Sequence, residues 1–152
     1  YWIIKELPRK ISKIFIAEFN PVFGSELEIS VPNIDDFNRT DYHFSNLCWG
    51  MSLRALINLM QKKGYLFLGT NLLRNNAFFV TKDYEKQFIQ ILNKIDFQNL
   101  YKFTDHNFME SRDENGKLSY VKKNQQLNII KNCEVIDLSN ENKGLVKIKE
   151  LS

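Results

Sequence analysis

Cysteine is scarce in this chain, and the two that occur, Cys48 and Cys133, lie far apart with no CxxC pair and no histidine at zinc-finger spacing. Neither a disulfide scaffold nor a structural zinc site is therefore expected; two free thiols in a reducing cytosol is the simpler reading. Long apolar runs are also missing. No stretch approaches the roughly 20 residues that span a bilayer, and no signal-peptide pattern occurs. Charge of one sign is not concentrated: 21 Lys and Arg face 18 Asp and Glu, a net +3, without the dense basic block of a nucleic-acid interface. Glycine-rich phosphate loops are absent too, with neither a Walker A nor a GxGxxG sequence, so these residues alone do not cradle a nucleotide-type cofactor. There is no internal repeat and no low-complexity tract.

What is present suits a folded domain. The 152 residues are 43% hydrophobic and 26% charged, and twelve phenylalanines dominate an aromatic share of 13%. That length and composition support one real core with large side chains. The chain opens YWIIKELP, already inside an amphipathic segment and without an initiator Met. The expectation is a boundary that cuts through a larger protein.

The pattern predicts a helix end over residues 1 to 7, stopped by Pro8. KIFIAEF, 13 to 19, reads as a buried strand in a parallel sheet, and ELEISVP, 26 to 32, as a short exposed strand. A helix is predicted over 52 to 63, where Leu53, Leu56, Ile57 and Met60 share one face. Ser52 suits its N-cap, and Gly64 its C′ position. YLFLGT and NAFFVT follow as an antiparallel strand pair, then a helix at about 83 to 95 with Tyr84, Phe88, Ile91, Leu92 and Ile95 on one face. From 97 the composition turns polar and irregular, with a short helix near 124 to 131 and a weak strand at 133 to 138. The organisation is thus an α/β unit, 1 to 96, followed by a polar tail, 97 to 152.

The long loop after the first strand holds the candidate chemistry, because ligands of open α/β sheets bind beyond the carboxyl ends of the strands. It carries Arg39, Asp41, Tyr42, His43, Ser45, Asn46 and Trp49, with Glu18 and Asn20 at the strand end. His43 is the general-base candidate, since its ordinary pKa lies near neutrality; its alternative role is a structural one against a neighbouring carboxylate or carbonyl. Glu18 either binds a hydroxyl, acts as a base or caps a backbone N–H. Arg39 and Asp41 are placed to pair. Asn76, after Asn75, either contacts ligand or shapes a tight connection.

Sharper motifs fail. GMSLR, 50 to 54, has Arg54 where a nucleophile elbow requires Gly, so Ser52 reads as a cap and a hydrolase ranks last. Cys48 with His43 lacks the context of a catalytic triad. Asp35 and Asp36 form a solvated turn rather than a metal site, and ESRDENG, 110 to 116, reads as a solvated hairpin or loop.

Three runs carry a resemblance: IFIAEFNPVFGSE, TDYHFSNLCWGMSLRALINLMQKKGYLFLGTN and NNAFFV. Together they resemble the C-terminal half of FkbM-like methyltransferase domains, in a poorly characterised bacterial branch, over about residues 1 to 82. ESRDENGKLSYV resembles the tail that follows there. The resemblance implies a Rossmann-like class I methyltransferase sheet of seven strands. IFIAEF would be the fifth strand, 52 to 63 the helix after it, and YLFLGT with NAFFVT the terminal antiparallel pair. It also implies S-adenosylmethionine as cofactor, bound by a glycine-rich loop and an acidic residue that precede this chain. The substrate-side wall would be Glu18, Asn20, His43, Ser45, Asn46 and Trp49, acting on a sugar or other small hydroxyl compound, with no nucleic acid and no membrane involved. The alternative is a non-catalytic α/β scaffold that presents its aromatic-rich loop to a protein or glycan.

Overall fold

The computed structural model describes residues 1–105, 107–139 and 144–151. Its first element, α1 (Trp2–Glu6), ends before Pro8 as expected. Three strands build the main sheet: β1 (Ile14–Glu18), β3 (Tyr65–Thr70) and β4 (Asn76–Thr81), in the order β1-β4-β3. β4 pairs antiparallel with both neighbours, so β1 and β3 run parallel on either side of it. The expectation of a parallel environment for β1 is corrected here. Its direct partner is antiparallel, and Ile14 and Ile16 are 55% and 56% exposed rather than buried. A run of four apolar residues does not distinguish a central strand from an edge strand with one covered face.

Helix α3 (Leu53–Lys62) crosses from β1's end back to β3. Ser52 caps it, its Oγ accepting from Ala55 N at 3.2 Å, and Gly64 follows at φ +88°. At that φ a side chain would be strained, which is why glycine closes this helix. Leu53, Leu56, Ile57 and Met60 are all buried against Phe67, Phe79, Ala17 and Phe19, as their spacing predicts. Beyond β4, α4 (Glu85–Leu92) is shorter than expected and packs on β3 with no fully buried residue. Ile91, expected on its inner face, is 44% exposed.

A second sheet joins the long loop to the tail. β2 (Ile29–Ser30) pairs with β7 (Glu134–Asp137), which pairs with β8 (Leu145–Lys147), all antiparallel. β2 was expected to be exposed; both its residues are buried, because β7 flanks it on one side and Met51 bridges to Ser30. Two further elements complete the second layer: a hairpin of β5 (Phe108–Arg112) and β6 (Leu118–Lys122), turning at Asp113–Gly116, and the short helix α5 (Lys123–Ile129). The second core gathers Val22, Phe23, Ile29, Leu47 and Cys48 with Ile130, Cys133, Val135 and Ile148. Tail residues also enter the first core, where Leu100 is buried and Phe103 meets Phe67 edge-on at 5.3 Å. The architecture is mixed α/β with small antiparallel sheets. Among the described residues, no helix is long and apolar enough to cross a membrane.

Candidate functional site

Asn20 organises the end of β1. It is fully buried, and its Nδ2 donates to Leu47 O at 2.8 Å and Trp49 O at 2.9 Å, while its Oδ1 accepts from Val22 N at 3.0 Å. Both donors and one of the two acceptor directions of its amide are spent on the backbone. Expected to touch substrate, Asn20 instead clamps the loop over the carboxyl end of β1.

Within that loop a four-residue helix, α2 (Arg39–Tyr42), is capped by Asn38, whose Oδ1 accepts from Thr40 N at 2.9 Å. Asp41 sits in its first turn and is exposed. The Arg39 guanidinium lies over the Trp49 ring, 5.5 Å from its centroid, a cation–π contact in place of the anticipated Asp41 pairing. The Tyr42 hydroxyl donates to Glu134 O at 2.6 Å and so pins α2 to the start of β7. Burial pushes that phenol well above its ordinary range, so it stays protonated.

His43 and Ser45 form a local unit. Ser45 Oγ and His43 Nδ1 are 2.7 Å apart, and Ser45 N donates to the same nitrogen at 3.3 Å. With Nδ1 accepting, the neutral ring carries its proton on Nε2 and presents a donor outward. Burial lowers the imidazole pKa, which favours that neutral form. Ser45 is fully buried, and its Oγ also accepts from Leu47 N, while its carbonyl receives Ser111 Oγ at 2.9 Å and Arg112 N at 3.2 Å. A serine so enclosed is a structural bracket.

Asn46 follows at φ +60°, a left-handed conformation that costs a side-chain-bearing residue about 1 kcal/mol. Its Oδ1 is buried and has no hydrogen-bond partner among the described residues. Glu18 and Asn76 are cross-strand partners on the exposed face of the main sheet. Asn76 is engaged in its turn: its N–H donates to Asn71 Oδ1 and its Nδ2 to Asn75 Oδ1, both at 3.1 Å.

A cleft of about 310 Å³ opens beside the loop, lined by Tyr42, His43, Asn132, Cys133, Glu134 and Lys147. It brings together two expected site residues with four that sequence reasoning did not single out. Glu18 is not among them, so the two candidate catalytic groups do not share this cleft. The cleft offers a carboxylate, an ammonium, an amide and the His43 donor, groups that can hydrogen-bond a hydroxyl-bearing ligand. Among the described residues no group of three or more His, Cys, Asp or Glu is placed to hold a metal ion.

Comparison of the chain with models of known protein families, with curated proteins and with solved structures finds no match.

Proposed function

We propose that this chain is the substrate-side part of an S-adenosylmethionine-dependent methyltransferase acting on a hydroxyl of a sugar or similar small molecule. The observation that carries the reading is the order of the main sheet. The resemblance requires a fifth strand, a helix and a terminal antiparallel pair in one sheet. β1, α3 and the β3–β4 pair are consistent with those elements in that order, and β1 is an edge strand of the three-stranded sheet. The polar loop at β1's carboxyl end and the cleft at Tyr42 and His43 provide a place for the acceptor.

The described residues do not themselves fit the cofactor. Among the described residues no glycine-rich turn leads from a strand into a helix beside a cavity. No methyl-transfer step is therefore built on this chain alone. Its own contribution is to hold a hydroxyl substrate, with Glu134 accepting and His43 Nε2 and Lys147 donating.

The test is calorimetric titration with S-adenosylmethionine of these 152 residues and of the full natural gene product. Binding by the full gene product, with turnover reduced in His43→Ala or Glu18→Ala, is the expected result. Normal turnover in both variants removes those two side chains from the reaction. Absence of binding by the full product sinks the enzyme reading. It would favour an interaction module instead, for which Phe44, 41% exposed and stacked 4.5 Å from the His43 ring, is the supporting observation.

A further inference from the structure

We propose that the groove between α1, the end of α3 and β7 binds a small organic phosphate, an anionic group joined to an apolar or aromatic body. The groove has a volume of about 640 Å³ and shares no lining residue with the cleft of Tyr42 and His43. Four cations line it, Lys5, Arg9, Lys62 and Lys63, against one carboxylate, Asp137. In the sequence these cations sit in two distant pairs, which is why no basic block is legible there; the fold gathers them. Lys63 holds the arrangement, its Nζ donating to Lys5 O at 2.9 Å and Leu7 O at 2.5 Å, which ties the end of α1 to the end of α3. Trp2 secures the start of α1, its Nε1 donating to Val31 O at 2.9 Å, and the Lys5 ammonium lies 5.4 Å from the centre of its ring.

Two of these charges are left for a ligand. Among the described residues neither Arg9 nor Lys62 makes an ion pair, whereas Lys10, next to Arg9 in sequence, pairs with Asp83 at 2.9 Å. Asp137 is already engaged, its Oδ1 accepting from Ser139 N at 2.9 Å and Ser139 Oγ at 2.6 Å. A guanidinium offers a planar fork to two phosphate oxygens, and an ammonium offers a point charge to another, so Arg9 and Lys62 suit a phosphate dianion. Leu59, Ile136 and Leu138 give the groove an apolar wall, which rewards a ligand that carries more than the phosphate itself. Binding, not methyl transfer, is read in the test, so its outcome is independent of the function proposed above.

The probe is phenyl phosphate, titrated into the 152-residue chain and followed by calorimetry and by the indole N–H signals of Trp2 and Trp49 in NMR. The expected result is saturable binding, weakened by added salt and tighter than that of inorganic phosphate, with the Trp2 signal shifting and the Trp49 signal still. Trp49 reports on Arg39, whose guanidinium lies over its ring, so a shift there instead would place the anion elsewhere and overturn the proposal. Arg9→Gln combined with Lys62→Gln should weaken binding by about tenfold or more, while Lys86→Gln, outside the groove, should leave it unchanged. All three side chains are exposed, so these variants test charge rather than folding. No binding, an equal loss in Lys86→Gln, or equal affinity for inorganic phosphate and phenyl phosphate would each overturn the proposal. Binding to phosphatidylglycerol vesicles with none to phenyl phosphate would assign the charge to a lipid surface and overturn it as well.

Discussion

Replacing Asn20 with Ala asks whether the most deeply buried of the candidate site residues binds ligand or holds the loop. The substitution removes three hydrogen bonds of 2.8 to 3.0 Å from a residue with no solvent exposure. It leaves Val22 N–H and the carbonyls of Leu47 and Trp49 without that partner, and water cannot easily reach the buried bonds to Val22 and Leu47. At about 1 to 3 kcal/mol for each buried group left unsatisfied, partly relieved by local movement, the loss should total about 3 to 5 kcal/mol. For a domain of this size that corresponds to a fall in Tm of roughly 6 to 20 °C. Urea unfolding followed by far-UV circular dichroism, with the m-value unchanged, measures it. Asn20→Asp separates shape from bonding. The new carboxylate still accepts from Val22 N–H but turns lone pairs toward two carbonyl oxygens in a buried site, which raises its folded pKa above the unfolded value. Its stabilising contribution is then present below the unfolded pKa and lost as pH rises through the folded one, so this variant should gain stability on acidification relative to Asn20→Ala. A loss below about 1 kcal/mol in Asn20→Ala would refute the clamp and return the amide to the ligand.

Ser52→Ala removes the cap of α3 and the acceptor of Ile29 N, each bond being 3.2 Å, and should cost about 2 to 3 kcal/mol in urea unfolding; a loss under about 0.5 would show the cap to be idle. The His43 ring should titrate by NMR below its ordinary 6.5, because burial favours the neutral form. The contribution of that shift to stability is fully present above the unfolded pKa and is lost as pH falls through the lower folded pKa. A midpoint at or above 6.5 would contradict the structure. Asn46→Gly relieves the φ of +60° and deletes the orphaned Oδ1, so Tm should hold or rise, with a gain of up to about 1 kcal/mol. A loss larger than about 1 kcal/mol would mean that the amide secures the loop.

Helix α3 was legible because three independent signals agree on it: the Ser52 cap, the spacing of its buried residues and Gly64 beyond its end. The β3–β4 pair was legible for a similar reason, since two apolar runs joined by a short Asn-rich link leave little choice but to turn back. The partner of β1 was not. It depends on β4 returning between β1 and β3, a long-range choice that IFIAE does not encode. α2 was missed because four residues are too short to show a helical period. The candidate site was legible in part. Crowding of polar residues after β1 located the loop, yet many of those side chains are consumed in bracing it, Asn20 and Ser45 most completely. The cleft's other wall could not be read in advance, because Asn132, Cys133, Glu134 and Lys147 meet Tyr42 and His43 only through the pairing of β2 with β7 and the Tyr42–Glu134 bond.

The two faces of β1 connect fold and proposed function. Thr81 N donates to Lys13 O and Phe19 N to Asn75 O, so the odd-numbered residues of the strand are those bonded to β4. By the alternation of antiparallel pairing, the backbone groups of Ile14, Ile16 and Glu18 point to the opposite edge. The same three residues turn their side chains to the exposed face, where Ile14 and Ile16 are more than half exposed. Edge strands of finished sheets are usually blunted by charge, proline or a bulge, since an open apolar edge invites pairing. β1 carries none of these along Ile14–Ala17, and its single charge, Glu18, stands at the carboxyl end beside the site loop. Ser12 Oγ donates to Ile14 O at 2.6 Å and Lys13 stands just before the strand, so the edge is closed at its amino end and apolar only at Ile16 and Ala17. On the proposed methyltransferase reading, the backbone groups of Ile16 and Glu18 are those that a neighbouring strand would meet.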